Sequence, residues 1–454
     1  MHAAIRPYIG NKQFYRKALA VMIPVIIQQL INTMFNVVDN VMVGGLGPIA
    51  MTAVTTANKP YLIYNGMFFG MTGAAGLMLS QYYGAGDDDT CQGLFALEML
   101  LGFLIAGIYG LLLFALPGPL MRIFVTDTAT VAMGIDYMRT VSLSYIPAAI
   151  SSVCIFSMRS LGKNTRPMII SMISMVANAV LNYLLIYGFG MGVKGAALGT
   201  VIARTIEAAL YVLILLQRKS FFSFNLSAVR RLTAPVIRAF ALRAIPLTIN
   251  EIFFALGFNV YFWAYARIDE ALLPAITVME LTQQVSFVIA TGMSSAVSVM
   301  IGTALGAGHL DEARSDCKKL FALDTFIGLI CTLIGMAGST VLPLAFDIGD
   351  ALRATATQLT LLSCIFYVPN AVYGFCFFCL RAGGDTKWAT LMDSGFMWVL
   401  PVPLSLVLGF FFPGRISLPM ALLLVNFTAS LKIIPSLLLL KRGHWVRNIT
   451  LRQE

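Results

Sequence analysis

The sequence predicts an all-α integral membrane protein with twelve transmembrane helices in two pseudo-symmetric lobes of six helices each. Three observations support this fold class. Hydrophobic residues make up 58% of the 454 residues, charged residues only 11%, and the mean hydropathy is +0.82, which leaves too little charge for a soluble surface. The apolar segments are about 20 residues long or longer, which is the length of a helix that crosses a bilayer. The third observation is an internal repeat, in which the second half of the chain matches the first at a constant offset.

The apolar segments are spread evenly along the chain, six in each half. Strands of an outer-membrane barrel would be short and would alternate apolar with polar residues, and this pattern is absent. The predicted helices are centred near residues 30, 67, 106, 145, 178 and 205 in the first half, and near 253, 288, 331, 367, 400 and 428 in the second. An even number of crossings separates equivalent helices, so the halves are parallel repeats related by an axis along the membrane normal.

The repeat keeps its register from one end of each half to the other. Pro24 recurs as Pro246, and the Gly-Ala-Gly motif at 84–86 recurs at 306–308 with the same separation. Duplicated halves of membrane proteins usually meet at a transport pathway near the bilayer midplane, so the repeat also indicates a function. The predicted organisation is an N-terminal lobe at residues 1–220, a cytoplasmic linker at 221–240 and a C-terminal lobe at 241–454.

The basic residues indicate the orientation of the chain and not a nucleic-acid partner. The net charge is +10, and with both termini in the cytoplasm 22 Lys and Arg lie in cytoplasmic segments against about five on the opposite face. The positive-inside rule favours this orientation. We therefore predict a monomeric multi-pass protein of the inner (plasma) membrane, with both termini cytoplasmic, membrane lipids around it and no nucleic acid bound.

No pattern in the sequence predicts an enzyme or a bound cofactor. The motifs HExxH and GxSxG are absent, and the three histidines lie in terminal or loop segments. Cys376 and Cys379 have a CxxC spacing on an apolar helix, which we interpret as a buried structural pair. We therefore expect no catalytic residue, no cofactor and no metal other than a coupling ion.

A polar stripe runs along the first predicted helix. Gln28, Asn32, Asn36 and Asn40 recur at intervals of four, and Asp39 lies close to the same side. Such a stripe indicates the lining of a wet cavity, with hydrogen bonding between helices as the alternative. An ionisable group at membrane depth is costly, and the lone carboxylate of Asp39 fits proton or Na⁺ binding better than packing.

The fifth predicted helix carries two amides that would complete a site around Asp39. Asn178 and Asn182 are four residues apart and share one face. Their oxygens would suit a cation, because hard cations prefer oxygen ligands, although both residues would also suit interhelical hydrogen bonds. We predict a coupling site for H⁺ or Na⁺ that includes Asn36 as well.

The buried charges of the two halves differ. The counterpart of Asp39 is Tyr261, and the counterpart of Gln29 is Glu251, which we predict to be part of a second cation or proton site. Lys59 is expected either to pair with Glu280 or to extend outward to the interface. The candidates for a substrate cleft are Gln28, Asn32, Lys59, Tyr145, Glu280 and Asn370.

Three motifs resemble those of the MATE (multidrug and toxic compound extrusion) antiporters, and the resemblance covers nearly the whole chain. They are DNVMVGGLG at residues 39–47, RSLGK at 159–163 and GVKGAA at 192–197. The resemblance implies a MATE-like fold of the MOP superfamily, and drug export coupled to inward H⁺ or Na⁺ flow. By the same resemblance, Asp39 matches the coupling carboxylate of the first helix, and Asn370 stands near the family's tenth-helix carboxylate.

The predicted function is a cation-coupled antiporter that exports cationic or amphipathic drugs and other small organic molecules by alternating access. Export follows if binding of the cation at Asp39 and binding of the substrate exclude one another. The alternative is a flippase for lipid-linked precursors from the same superfamily. Such a cleft would carry several basic groups for a pyrophosphate, and Lys59 is the only conspicuous one.

Overall fold

A computed structural model of the chain describes residues 8–125, 127–217, 220–223, 225–345, 349–412 and 414–450. Some side chains within helices, Asn36 and Asn40 among them, lie outside the described set. All the regular secondary structure in these residues is helical. The all-α class predicted from the sequence is therefore confirmed.

Within the described residues, twelve main helical segments follow the two repeats, and a short helix at Pro117–Arg122 lies between the third and the fourth. Those of the first repeat are α1 (Lys12–Gly44), α2 (Pro48–Ala57 and Lys59–Gly84), α3 (Asp88–Ala115), α4 (Thr128–Ser142 and Tyr145–Ser160), α5 (Thr165–Tyr183, continued by a π-helical turn at Leu184–Gly188) and α6 (Gly192–Leu215). Those of the second are α7 (Ala234–Ile268), α8 (Leu273–Gly306), α9 (Leu310–Val341), α10 (Asp350–Cys364 and Tyr367–Ala382), α11 (Thr386–Thr390, a π-helical turn at Leu391–Gly395, Phe396–Val399 and Pro401–Phe411) and α12 (Leu418–Ser430 and Ile433–Arg442).

Most of these segments have the length and composition of membrane spans. Within the described residues, nine helices are long and apolar enough to cross a membrane, and the bent pairs in α4 and α10 bring the number to eleven. The predicted span near residue 288 lies in α8, which that number does not include. The two bent pairs break at 53° and 47°, at repeat-equivalent places. Large apolar side chains such as Leu111 and Phe411 are exposed, as suits a lipid-facing surface.

The chain packs as two compact units whose boundaries fall next to the repeated prolines. The first unit comprises Pro24–Leu79 and Asp87–Ala244. The second comprises Ile245–Glu454, Ser80–Gly86 and Met1–Ile23, so far as these residues are described. The helix continues through both Pro24 and Pro246, although a proline removes one backbone hydrogen bond at each point. The lobe boundaries at residues 220 and 241 stay a prediction.

An apolar core fills each unit between its helices. In the first unit, the largest fully buried side chains include Tyr64, Phe68 and Phe95. In the second unit, a cluster joins α7, α8, α10, α11 and α12. Its members include Tyr265, Ile276, Leu359, Leu408 and Leu422.

The repeated Gly-Ala-Gly motifs permit a reciprocal contact between two helix ends inside the second unit. A Cβ atom at Gly84 would overlap the carbonyl of Thr303, and one at Gly306 would overlap the carbonyl of Gln81. Gln81 and Thr303 themselves occupy equivalent positions of the two repeats, so the contact follows the symmetry of the sequence. Only glycine permits so close an approach of the two backbones.

The C-terminal tail binds at the same place. Asn448 Nδ2 donates to the carbonyl of Gly306 at 2.9 Å, and the backbone N–H of Ile449 donates to Gln81 Oε1 at 2.9 Å. Gln81 Nε2 in turn donates to the carbonyl of Ala382 at 2.7 Å. One buried glutamine therefore joins the end of α2 to the tail and to α10.

The described part of the predicted linker lies against α3 in the first unit. Phe222 stacks on Phe95 with ring centroids 4.5 Å apart. Arg231, at the end of a short 3₁₀ helix, pairs with Asp89 at 2.6 Å. Since both residues of this ion pair are at least half exposed, the aromatic stacking contributes more to the attachment than the charge does.

Candidate functional site

The first polar site joins α1 to α5 through Asp39. Asn182 Nδ2 donates to Asp39 Oδ1, and the same nitrogen lies 3.3 Å from Asn178 Oδ1. Asn178 and Asn182 are 1% and 0% exposed, whereas Asp39 is half-buried. The structure thus brings together three of the four residues predicted for a coupling site. The side chain of the fourth, Asn36, lies outside the described residues.

Local features of α5 and α6 hold Asn182 in position. A Cβ atom at Gly199 of α6 would overlap Asn182 Oδ1, so a larger residue there would displace the amide. Directly after Asn182 and Tyr183, α5 changes to a π-helical turn. In that turn, Tyr187 Oη donates to the carbonyl of Met42 at 2.7 Å, which holds the end of α5 against α1. Turns of this kind are frequent at functional sites.

A basic side chain of α6, Arg204, lies near Asp39. Arg204 is close enough for its charge to act on Asp39, and its guanidinium carbon lies 5.1 Å from the centre of the Tyr61 ring. Glu207 lies one turn further along α6 and is a second electrostatic partner of Arg204. Arg204 therefore lies under the influence of carboxylates on two helices, Asp39 of α1 and Glu207 of α6.

A buried chain of polar groups continues from Glu207 towards the end of α4. Glu207 Oε1 accepts from Ser171 Oγ at 3.2 Å, and Ser171 Oγ accepts from Gln28 Nε2 at 3.1 Å. Gln28 Oε1 accepts from Arg159 Nη2 at 3.2 Å. Gln28, predicted to line the cleft, is fully enclosed in this network.

The second polar site lies in the second unit and is centred on Asp393 of α11. Tyr373 Oη donates to Asp393 Oδ1 at 2.8 Å, and Asn250 Nδ2 donates to Asp393 Oδ2 at 3.0 Å. Lys432 Nζ lies 3.4 Å from Asp393 Oδ1. Next to them, Arg381 Nη1 pairs with Glu251 Oε1 at 3.6 Å.

The two polar sites are partly related by the repeat. Gln28 and Asn250 are equivalent positions of the two halves, and so are Ser171 and Asp393. The arginines at the ends of α4 and α10 are equivalent in the same way. Sequence reasoning missed Asp393 and Lys432 as site residues. Each is an ionisable residue within an apolar segment, the signal that drew attention to Glu251.

Among the described residues, the other predicted cleft residues make none of the hydrogen bonds that hold the two polar sites together. Tyr145 is buried in a cluster of tyrosines, with its ring centroid 4.7 Å from that of Tyr64 and 5.9 Å from that of Tyr109. Four predicted cleft residues are exposed, and their part in a cleft stays a prediction. They are Asn32, Lys59, Glu280 and Asn370.

Few metal-ligating side chains gather at either polar site. Among the residues that the structure describes, no three or more His, Cys, Asp or Glu side chains come together as a metal site. Each polar site instead combines one or two carboxylates with amides, hydroxyls and basic groups. The seven cysteines are all buried and free, and Cys379 Sγ lies 3.9 Å from Cys317 Sγ.

Comparison with known families identifies the chain through its repeat. The family model MatE matches residues 24–184 and again residues 246–407. The two matches begin at the repeated prolines, Pro24 and Pro246, so each repeat carries one copy of the family's domain. The chain belongs to the MatE family. The resemblance to the MATE antiporters inferred from the motifs is thereby confirmed, and the protein is a multi-pass membrane protein of a transporter family.

Relatives of this MatE protein occur in bacteria and in a mammal. It is 25% identical over 408 residues to "Multidrug resistance protein PmpM" of Pseudomonas aeruginosa, covering 87% of this chain and 84% of the relative. It is 24% identical to "Multidrug resistance protein MdtK" of Cronobacter sakazakii, with 87% of each chain covered. It is 22% identical to "Multidrug and toxin extrusion protein 1" of Oryctolagus cuniculus, covering 87% of this chain and 69% of the relative.

Solved structures show the same fold. A crystal structure of MATE in complex with MaL6 superimposes with a TM-score of 0.85 at 17% identity, over 97% of this chain and 98% of the other. An outward-facing multidrug resistance MATE family transporter of the MOP superfamily gives a TM-score of 0.85 at 15% identity, over 96% and 98%. The MATE-like fold predicted from the sequence is therefore confirmed for this MatE chain.

Proposed function

We propose that this MatE protein exports cationic or amphipathic organic molecules, drugs among them, in exchange for an inward-moving H⁺ or Na⁺. The names of its relatives, which describe multidrug resistance and toxin extrusion, support the class of substrate. The observation that carries the proposal is the half-buried carboxylate of Asp39, joined to the amides of α5 within apolar helices. Placing a carboxylate at membrane depth costs free energy, so its presence there indicates a functional role.

The exchange follows from what a cation does to this carboxylate. Without a bound cation, Asp39 is negative and accepts a hydrogen bond from Asn182, and it attracts a positively charged substrate. A proton or Na⁺ at Asp39 removes that charge and competes with Asn182 for the oxygen lone pairs. Substrate and coupling ion then favour different arrangements of the helices, and the protein alternates between them.

Aromatic rings next to Arg204, the basic neighbour of Asp39, suit organic cations. The rings of Tyr61 and Tyr109 adjoin the buried rings of Tyr64 and Tyr145. Arg204 already lies over Tyr61, which shows that this ring accepts a cation on its face. A flat organic cation would displace Arg204 from that face, and the attraction of Asp39 would favour the exchange.

The first test is Asp39→Asn, which keeps the size of the side chain and removes its charge. We expect this variant to lose efflux of cationic dyes from a drug-hypersensitive bacterial host while it is still inserted in the membrane. Asp136→Asn, at an exposed carboxylate of the same unit, is the matched control and should transport normally. Wild-type efflux by Asp39→Asn would refute the proposal.

The coupling ion is tested in proteoliposomes. H⁺ and Na⁺ gradients are imposed separately, and movement of the dye is measured for wild type and for Asp39→Asn. We expect one of the two gradients to drive transport by wild type and neither to drive transport by the variant. Equal transport without any gradient would show that the protein is not an antiporter.

The buried basic groups do not favour a flippase for lipid-linked precursors. The structure adds Arg159, Arg204, Arg381 and Lys432 to the exposed Lys59 noted in the sequence. Each of these four interacts with a carboxylate, an amide or an aromatic ring of the protein. Each of the four is therefore already engaged within its own unit, which does not favour binding of a pyrophosphate.

A further inference from the structure

Two irregularities of helix geometry meet at one ion pair in the second unit. Asp393 lies within the π-helical turn Leu391–Gly395 of α11. Lys432 lies at the break between the two helices of α12. π-helical turns are frequent at functional sites, and a broken helix allows a side chain to enter at an unusual angle. At these two irregularities, Lys432 Nζ lies 3.4 Å from Asp393 Oδ1.

The ammonium group of Lys432 is held on two sides. It lies 3.7 Å from the centre of the Tyr373 ring, in addition to its contact with Asp393. Tyr373 Oη donates to the same carboxylate oxygen. The side chains of Lys432 and Asp393 are 12% and 9% exposed, so water screens their attraction little. A carboxylate oxygen and an aromatic face together form a site for a single positive charge.

The neighbouring ion pair leaves the whole cluster without a net formal charge. Arg381 and Glu251 add one base and one acid to Lys432 and Asp393. Burial of four ionised groups is tolerated only when their charges are matched. The cluster therefore needs no ion from solution to balance its charge.

The repeat shows which parts of this cluster differ between the two halves. Asp393 has Ser171 as its counterpart, and Lys432 has Leu210. The acid and the base are thus both present in one half and both absent from the other. An acid and a base that occur together in one half are the arrangement expected if the basic side chain takes the place of a bound ion.

We propose that Lys432 is a tethered cation, whose ammonium group fills a monovalent-cation site formed by Asp393 and Tyr373 and steadied by Asn250. In the wild-type protein this site takes no Na⁺, and it becomes a Na⁺ site when the ammonium group is removed. The proposal concerns ion binding in the second unit and does not rest on the transport function proposed above.

The atoms left behind suit a small hard cation. Removing the ammonium group exposes Asp393 Oδ1 and leaves Tyr373 Oη beside it, and such cations prefer oxygen ligands. Asn250 would keep the carboxylate in place, since its Nδ2 donates to Asp393 Oδ2 and its Oδ1 accepts the backbone N–H of Ser394 at 3.2 Å. The buried negative charge would then recruit Na⁺, because an unpaired charge there is strongly unfavourable.

The test measures thermal unfolding of purified protein in NaCl and in N-methyl-D-glucamine chloride at equal ionic strength. All variants carry Asp39→Asn, so that any response of the first polar site is removed. We expect Lys432→Ala to gain a rise in Tm of roughly 2 °C or more in Na⁺, since a ligand that binds only the folded state stabilises it. Lys432→Arg retains a cation and should show no rise. Lys441→Ala, at an exposed lysine of the same segment, is the matched control.

The site is identified by a second substitution. Adding Asp393→Asn to Lys432→Ala should abolish the Na⁺ response. The proposal is overturned if Lys432→Ala folds but its Tm does not rise in Na⁺. It is also overturned if the Tm of the Asp39→Asn parent already rises in Na⁺ and Asp393→Asn removes that rise. Should Lys432→Ala be recovered only in Na⁺, the proposal is supported. Should it be recovered in neither salt, Lys432→Gln, which keeps most of the side chain, decides by the same measurement.

Discussion

At the residue scale, each compact unit fixes a carboxylate with an amide from another helix. Asn182 of α5 donates to Asp39 of α1, and Asn250 of α7 donates to Asp393 of α11. The difference lies in the positive charge nearby. Lys432 touches the carboxylate of Asp393 directly, whereas Asp39 has Arg204 only as a longer-range electrostatic neighbour. The first carboxylate therefore remains the better candidate for an ion from solution.

The buried pair of Arg381 and Glu251 gives a prediction about stability. Arg381→Met would leave Glu251 as an uncompensated buried charge, which costs about 3–5 kcal/mol. We expect a large fall in Tm, with most of it recovered when Glu251→Gln is added. The control is Arg353→Met, because Arg353 pairs with an Asp350 side chain that is 98% exposed and such a pair contributes about 0–1 kcal/mol. Equal effects of the two arginine substitutions would contradict the prediction.

Much of the first polar site could be predicted from spacing alone. Asn178 and Asn182 share a face at an interval of four, and Asp39 lies beside a polar stripe, so regular helix geometry predicts the helix faces that meet in the structure. Asp393 and Lys432 could not be placed in this way. One lies in a π-helical turn and the other at a helix break, where the ordinary period does not tell which way a side chain faces.

At the element scale, the helices end and begin where the sequence carries the corresponding signals. Gly86 and Gly308 have φ of 75° and 80°, values that glycine adopts without strain, and they follow the ends of α2 and α8. The same motifs place Gly84 and Gly306 at the close contact between these helix ends. The motif therefore terminates the helix and also allows the backbone of the other helix end to come close to it.

The close contact is tested by Gly306→Val. The added side chain would overlap the backbone of Gln81 and force the helix ends apart, which we expect to cost about 1–3 kcal/mol. Gly107→Ala is the control: it lies within α3, nothing lies within 4 Å of the added carbon, and alanine favours helix over glycine. We expect a lower Tm for the first variant and an unchanged or higher Tm for the second. A Gly306→Val protein as stable as wild type would show that the contact is not tight.

The start of α4 provides a pH-dependent prediction. The hydroxyl and the backbone N–H of Thr130 donate to Asp127, and these hydrogen bonds lower the pKa of Asp127 below its ordinary value. A carboxyl group whose pKa is lowered on folding stabilises the fold above its unfolded pKa, and the effect is lost as the pH falls through the folded pKa. We expect Asp127→Ala to lower Tm at pH 7, and its difference from wild type to shrink below about pH 4. A difference that stays constant as the pH falls well below that value would contradict this.

At the scale of the whole molecule, the repeat and the hydropathy were sufficient to predict the class of fold. The family match and the solved structures agree with that class, and the two family matches follow the register of the repeat. The packing units were not predictable in the same way. Residues 80–86 pack with the second unit although they belong to the first repeat, because the glycine contact and the tail hold them there.

Orientation in the membrane is tested with cysteine labels. All seven native cysteines are buried, so the wild-type protein should react little with a membrane-impermeant maleimide in intact cells. We expect Arg415→Cys, at an exposed position on the predicted outer face, to be labelled from outside. Arg314→Cys, at an exposed position on the predicted cytoplasmic face, should be labelled only after the membrane is opened. The reverse pattern would overturn the predicted topology.

The contact at Gly84 and Gly306 also bears on how such a chain arises. Gln81 contacts Gly306, and the equivalent residue Thr303 contacts Gly84. Two identical subunits make the same reciprocal contact across the axis of an isologous dimer. A precursor of half this length would already carry both surfaces of that contact and could assemble with a second copy of itself. After fusion of two such copies, each could change independently of the other. Asp393 and Lys432, present in one copy alone, are the kind of change that a homodimer could not make on one side only.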